Sequence, residues 1–227
     1  MPFPAMIFSA GFGTRMGHRT KNIPKPLVQV AGKPLIDYAI ETLREADVPR
    51  IVANTHYRFQ QLEKHLERRD IIISREEPDI LETGGGLKAA LPKIAADVVI
   101  THNADIIWFG PNPIKALLSA WHPDLMDALL LCVPLKRALG RTINGDFTIR
   151  SDNTVERGGS SVYTGAQIIK TNEIELETEP VFSLNKVWNR LADNGRLHAT
   201  SYEGIWCDVG HEKGITLAES RLRKIDV

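Results

Sequence analysis

The chain has no apolar run of the roughly 18–20 residues that a membrane-crossing helix needs, no excess of either charge and only 2 cysteines. Each lack excludes something. The 28 Lys and Arg residues are matched by 28 Asp and Glu, so no global basic field draws the protein to nucleic acid, while a local phosphate pocket stays open. Cys132 and Cys207 lie far apart and form no metal-ligand cluster; Cys132 sits in an apolar run and reads as a reduced core residue. The 7 histidines include no HxH or HxxxH pair, and His56, His102 and His211 read as polar loop residues rather than ligands or bases. There is no Ser-His-Asp or Cys-His order for a nucleophile, and no internal repeat or low-complexity segment. Met1-Pro2-Phe3-Pro4 leads straight into the first apolar run without a leader pattern. The expectation is a soluble, cytoplasmic protein without membrane or nucleic-acid partners, a monomer or small homo-oligomer.

What is present is alternation. The short apolar runs Ala5–Ala10, Arg50–Asn54, Ile71–Ser74, Val98–Thr101 and Ala128–Val133 read as strands. Between them, helices are predicted over Pro34–Ala46 (with Pro34 at its first helical position), Phe59–Arg68, Gly86–Lys93 and Asn112–Trp121. That is the sequence form of βαβ units. After about Leu135 the pattern shifts to strands at Asp146–Arg150, Thr154–Glu156 and Ser161–Lys170, joined by turn dipeptides. A helix over Leu184–Asn194, a strand over Leu197–Tyr202 and a closing helix over His211–Leu222 follow. With no linker, 1–227 reads as a single α/β domain with a Rossmann-like mixed, mostly parallel sheet flanked by helices.

The chemistry concentrates at strand ends. Ser9-Ala10-Gly11-Phe12-Gly13-Thr14-Arg15-Met16 follows the first strand, and Ile23-Pro24-Lys25-Pro26-Leu27 comes soon after. A glycine-rich turn there exposes backbone N–H groups in a concave row suited to a phosphate chain. Arg15 and Lys25 add cations, and the prolines on both sides fix the backbone of Lys25. The spacing Gly11-x-Gly13-x-x-x-Gly17 fails the dinucleotide fingerprint, which disfavours a nicotinamide oxidoreductase. Asp105, after the strand Val98-Val99-Ile100-Thr101, is placed to hold Mg²⁺ beside phosphates, because that ion takes one or two carboxylates plus phosphate oxygens. In Leu81-Glu82-Thr83-Gly84-Gly85-Gly86, three successive glycines suit either a flexible loop-to-helix junction or close approach of backbone amides to a flat nucleobase.

These segments together resemble the sugar-1-phosphate nucleotidyltransferases, whose N-terminal signature is Gly-x-Gly-Thr-Arg-Met followed by Pro-Lys-Pro-Leu. The likeness runs on through Ala31-Gly32-Lys33-Pro34-Leu35-Ile36, Asn103-Ala104-Asp105 and Trp206-Cys207-Asp208-Val209-Gly210, and so spans nearly the whole chain. The glycine-rich segment at 81–86 is most similar to the branch that includes N-acetylmuramate-1-phosphate uridylyltransferases. The resemblance implies a fold of the nucleotide-diphospho-sugar transferase type, with about 1–135 binding nucleotide and about 136–227 binding the sugar phosphate. It implies Ala10, Gly11, Gly13, Thr14, Arg15, Met16, Glu82, Thr83, Gly84 and Asn103 as nucleotide contacts. Arg15 and Lys25 become the charge-stabilising pair, Lys25, Gly145, Asp146 and Gly165 the sugar-phosphate contacts, and Asp105 with Asp208 the Mg²⁺ ligands. The residues themselves leave Asn144-Gly145 open as a plain hairpin turn. UTP is the implied donor; GTP, CTP or ATP, a hexose, heptose or phosphocholine acceptor, and a non-catalytic nucleotide-sugar sensor are the alternatives. One departure is visible: Ala104 stands where relatives usually carry Gly.

Overall fold

The computed structural model describes residues 2–224 apart from residue 142. The first half alternates β1 (Ala5–Phe8), a small ladder β2 (Gln29–Val30) and β3 (Lys33–Pro34), α1 (Leu35–Arg44), β4 (Ile51–Thr55), α2 (Phe59–Glu67), β5 (Ile72–Arg75), α3 (Glu82–Ile94) and β6 (Val98–Asn103). Then come β7 (Ile106–Phe109), α4 (Pro113–Ala120), β8 (Ala128–Pro134) and β9 (Ala138–Leu139). The remainder supplies β10 (Phe147–Ile149), β11 (Val155–Arg157), β12 (Ser161–Lys170), α5 (Asn172–Glu175), α6 (Leu184–Asp193), β13 (Leu197–Ser201), β14 (Ile205–Asp208) and α7 (Glu212–Leu222).

The central sheet runs β11-β10-β12-β6-β1-β4-β5, with β8 paired to β12 and β13 to β8. Its N-terminal part is parallel throughout: β6, β1, β4 and β5 all point the same way. The expected α/β fold, a Rossmann-like mixed and mostly parallel sheet flanked by helices, is therefore present as one domain. Two apolar layers cover the sheet. On one face α1, α2 and α4 contribute Ile36, Ile40, Leu62, Leu66, Ile114 and Leu117; on the other, α3 and α6 contribute Leu87, Ala90, Val187, Trp188 and Leu191. In α1 the buried residues Leu35, Ile36, Ala39, Ile40 and Leu43 follow the 3.6-residue period that predicts this helix. Pro34 lies one residue outside it, in extended conformation at the N-cap. Asn112 caps α4 by accepting the Ile114 and Lys115 N–H groups, with Pro113 at the first helical position.

A second, three-stranded sheet, β7-β14-β9, was not expected from the sequence. It closes the carboxyl end of the main sheet, where open α/β folds bind ligands. α7 packs on it through Ile215 and Ala218, beside Met16, Cys207 and Val209. Cys132 and Cys207 are both free and buried; burial pushes the Cys207 thiol up to about 12.

At the far edge, Asp127 clamps the sheet. Its carboxylate accepts Arg196 Nε and Nη2, both at 2.9 Å, and Lys170 Nζ at 2.7 Å. The Arg196 fork, with Lys170, outweighs partial burial and holds the carboxyl at about 2. Because the folded value lies below the ordinary one, the clamp stabilises above about pH 4 and fades as pH falls through it towards 2. Asp127→Asn is expected to cost about 1–2 kcal/mol at pH 7. Denaturant unfolding should show the gap to wild type narrowing at pH 3; a gap independent of pH would contradict the ion-pair account.

Candidate active site

The site is built where β1, β4 and β6 end. After Phe8 the chain turns through Ser9–Gly13. Ser9 N–H donates to Asn54 Oδ1 (2.6 Å), Asn54 Nδ2 donates to Glu76 Oε1 (2.6 Å), and Glu76 Oε2 accepts the Leu81 N–H (2.8 Å). This buried chain of hydrogen bonds ties the tips of β1, β4 and β5 to the start of α3. Sequence reasoning missed Asn54 and Glu76; their signal is a polar residue at the carboxyl end of a parallel apolar strand. Above the network lies a cavity of about 220 Å³ walled by Ala10, Gly11, Lys25, Glu82, Thr83, Asn103 and Asp105, with the buried Glu76 also in its lining.

Not every residue of the glycine-rich loop faces this cavity. Gly13 buttresses it instead: its φ is +70°, and a Cβ there would stand 2.7 Å from Lys25 Cβ. Glycine is needed on both counts. Its absent side chain lets the turn Pro24-Lys25-Pro26-Leu27 close against the loop, with Leu27 N–H donating to Pro24 O (2.9 Å). Met16 is fully buried in the core beneath β14 and α7, so it anchors the segment rather than lining either cavity. Thr14 is exposed and faces a shallow groove with Phe12 and Tyr57.

The carboxylates converge through the second sheet. β14 pairs antiparallel with β7, setting Asp208 opposite Ile106, and Val209 N–H donates to Asp105 O (3.0 Å). Arg15 reaches both side chains, at 3.9 Å from Asp105 Oδ2 and 3.8 Å from Asp208 Oδ2. Lys25 Nζ donates to Asp105 Oδ2. Burial alone would raise the Asp105 carboxyl; the Lys25 ammonium, aided by Arg15, more than offsets it and holds the group below its ordinary value. A Cβ on Gly210 would lie 2.8 Å from Asp208 Oδ1 and 3.0 Å from Asp105 Oδ2, so the two carboxylates flank one small space. No third His, Cys, Asp or Glu joins them among the described residues. Two hard oxygen donors fit a magnesium ion that takes its other ligands from phosphate and water.

Two expectations need correction here. The glycines at 84–86 do not form a flexible junction but lie inside α3, where the amides of Gly84 and Gly85 are taken up by the chain itself. Both donate to Phe182 O, at 2.9 and 3.0 Å. Added Cβ atoms would meet the Phe182 ring at 2.3 Å, Pro180 O at 2.2 Å and Glu76 Oε1 at 2.4 Å for Gly84, Gly85 and Gly86 in turn. Their smallness serves packing, and Gly84 is buried away from the cavity. Glu82, at φ +60°, and Thr83 do line it. Thr83 Oγ1 is already engaged, accepting the Leu184 N–H (3.0 Å). His102 is likewise no loop residue. It lies within β6, fully buried, its Nε2 accepting Trp108 Nε1–H (2.9 Å), and burial pulls it down to about 4, so it stays neutral. His211 caps α7, its Nδ1 accepting the Gly214 N–H (3.0 Å).

A second cavity, about 360 Å³, shares Thr83, Asn103 and Asp105 with the first and runs to Asp208 and Arg15 on one side and to Tyr163, Trp188 and Arg157 on the other. Gly165 lines it at φ +84°, where β12 bulges and a Cβ would strike the Asn103 side chain at 2.6 Å. Asp146 lines it too, with both oxygens engaged: Oδ1 accepts Arg141 Nη2 (2.5 Å) and Oδ2 the Tyr163 N–H (2.9 Å). Gly145 does not face this cavity; its Cα packs on residues 159–161, where a Cβ would lie 2.6 Å from Ser160 C. Arg141, Arg157, Asn185 and Trp188 were not anticipated, because only tertiary structure brings β10, β11 and α6 beside Asp105. Ala104 has its backbone outside the left-handed region, and it is buried in the core while forming part of the cavity wall.

The family model for the MobA-like NTP transferase domain matches residues 5–194. The chain belongs to this family. It is a nucleotidyltransferase. The N-acetylmuramate alpha-1-phosphate uridylyltransferase of Caulobacter vibrioides is 37% identical to it, with 97% of each chain covered. That of Neisseria meningitidis serogroup B is 30% identical, over 91% of this chain and 92% of the relative. Among solved structures, HddC of Yersinia pseudotuberculosis complexed with GMP-PN superposes with a TM-score of 0.75 at 22% identity, covering 97% of this chain and 99% of the other. Such a likeness shows the transferase fold.

Proposed function

We propose that this transferase moves a uridylyl group from UTP to N-acetylmuramate 1-phosphate, releasing pyrophosphate, with Mg²⁺ as cofactor. The observation that carries this reading is the meeting of two cavities at Asp105, with Lys25 and Arg15 converging on the junction. The two relatives named as uridylyltransferases of this sugar phosphate supply the donor and acceptor.

In this reading the first cavity takes the nucleotide. Ala10 and Gly11 bring backbone N–H groups to the phosphates, Glu82, Thr83 and Asn103 line the nucleoside, and Thr14 contributes through its backbone. Lys25 sits at the α-phosphate, where it offsets the charge that grows as phosphorus becomes five-coordinate. Arg15 does the same for the leaving pyrophosphate. The acceptor lies in the second cavity, beside Gly165 and Asp146, with its phosphate directed at Asp105 and Lys25. That phosphate is ionised at neutral pH and needs no general base, so catalysis is alignment for in-line attack plus charge neutralisation. Asp105 and Asp208 would hold the cation, which when bound neutralises phosphate oxygens at the reacting centre.

The test is pyrophosphate release with Mg²⁺ over four nucleoside triphosphates and a panel of sugar 1-phosphates. UTP with N-acetylmuramate 1-phosphate is the expected productive pair. A different productive pair would correct the substrates; failure to bind any triphosphate would overturn the reading. Trapping a nucleotidylated protein would sink the direct-transfer mechanism.

A further inference from the structure

The acceptor cavity holds two guanidinium groups with unlike surroundings. Arg141 is neutralised by Asp146. Arg157, from β11, is exposed at the rim of the cavity and forms no ion pair among the described residues; Asp146, already paired with Arg141, acts on it only from a distance. Arg157 Nε and Nη2 both donate to Asn189 Oδ1, at 3.0 and 2.8 Å, and Nη2 also reaches Asn185 O at 3.4 Å. Its guanidinium lies 4.8 Å from the centre of the Phe147 ring and 5.7 Å from that of Trp188. Phe147 and Trp188 line the cavity with it. Nη1 donates to nothing among the described residues.

A cation stacked on the aromatic wall of a cavity, whose one nearby carboxylate is already paired with Arg141, keeps donor capacity for a bound anion. Partial loss of solvent lowers its proton affinity, and the Asp146 carboxylate offsets only part of that. An anion fills the donor capacity, and the guanidinium suits carboxylate and phosphate alike, with Nη1 the donor left over from Asn189. In the functional reading above the acceptor's phosphate is directed at Asp105 and Lys25, so it is not that anion. A second negative group on the same molecule is needed.

We propose that Arg157 reads a carboxylate carried on the acceptor sugar, so that this enzyme selects acidic over neutral sugar 1-phosphates. The inference rests on the functional reading above and deepens it. The lactyl ether of N-acetylmuramate supplies such a carboxylate; N-acetylglucosamine 1-phosphate is the same amino sugar without it. Phe147, Tyr163 and Trp188 offer the apolar faces against which the ring of either sugar packs. Arg157 would therefore set which acceptor is chosen, while Lys25 and Arg15 act on the phosphorus.

The experiment measures equilibrium binding of both sugar 1-phosphates to the full chain by calorimetry, for wild type, Arg157→Gln and Arg157→Lys, with pyrophosphate release followed in parallel. Wild type should bind the acidic sugar roughly tenfold or more tightly than the neutral one, the scale of a hydrogen-bonded charge. Arg157→Gln should bring that ratio close to one, and Arg157→Lys, which keeps the charge without the guanidinium, should restore part of it. Equal weakening of both sugars by Arg157→Gln would mean that the residue only packs, and the proposal would fall. An intact preference in that variant, or none in wild type, would overturn it as well. Selective binding without pyrophosphate release would leave the carboxylate inference standing and remove the proposed reaction instead.

Discussion

Replacing Lys25 with alanine is expected to lower turnover roughly 10²-fold or more, the scale seen when one preorganised charge-stabilising group is removed. Three observations single this lysine out. Its side chain is only 13% exposed, Pro24 and Pro26 hold its backbone from both sides, and Gly13 leaves no room for it to retreat towards the loop. Its ammonium is therefore fixed before substrate arrives, and little reorganisation remains at the moment of transfer. The ion pair with Asp105 gives the variant a second effect: without Lys25 the carboxyl loses the larger of its two neighbouring positive charges and moves back up towards its ordinary value. Triphosphate binding, which also draws on the loop amides and Arg15, should weaken less than turnover. Steady-state and single-turnover kinetics separate the two. A variant with full activity would remove Lys25 from the mechanism.

How much of this was legible beforehand differs from element to element. β12 is read correctly over Ser161–Lys170, because a long run of β-branched and apolar residues bounded by turn residues admits few alternatives. The loop after β1 is equally visible, since glycine, arginine and Pro-Lys-Pro are local signals. β7 and β14 are not. Each has four residues, and what makes them strands is their mutual pairing across the fold, which no local pattern encodes. Yet that pairing is what sets Asp208 beside Asp105. Gly145 and Gly165 show the same limit: one reads as a turn glycine and the other as part of a strand, but only Gly165 falls where β12 bulges beside Asn103 and borders the cavity. Residue types that suit a chemistry are therefore readable in the sequence, while their convergence depends on contacts between distant segments.

The glycines of α3 give the sharpest case, because two effects of opposite sign compete in Gly85→Ala. Helix propensity favours alanine by about 1 kcal/mol. Against it, the new Cβ would stand 2.2 Å from Pro180 O, far inside any real contact and against backbone rather than a flexible side-chain end. Overpacking of this kind typically costs about 1–3 kcal/mol. Moving 180–182 away also breaks the two hydrogen bonds that Phe182 O accepts from Gly84 and Gly85, each contributing about 0.5–1.5 kcal/mol. Packing wins, and the variant is expected to be about 2–3 kcal/mol less stable, which lowers Tm by roughly 4–10 °C in a domain of this size. The displacement does not stop at α3. Phe182 leads into Ser183, the N-cap of α6, and Leu184 N–H is held by Thr83 Oγ1. Since Ser183, Asn185 and Trp188 border the second cavity, the proposed acceptor site, KM for the sugar phosphate should rise in the same variant. A rise in Tm instead would mean that helix propensity outweighs the contact with Pro180, and that these glycines are held for another reason.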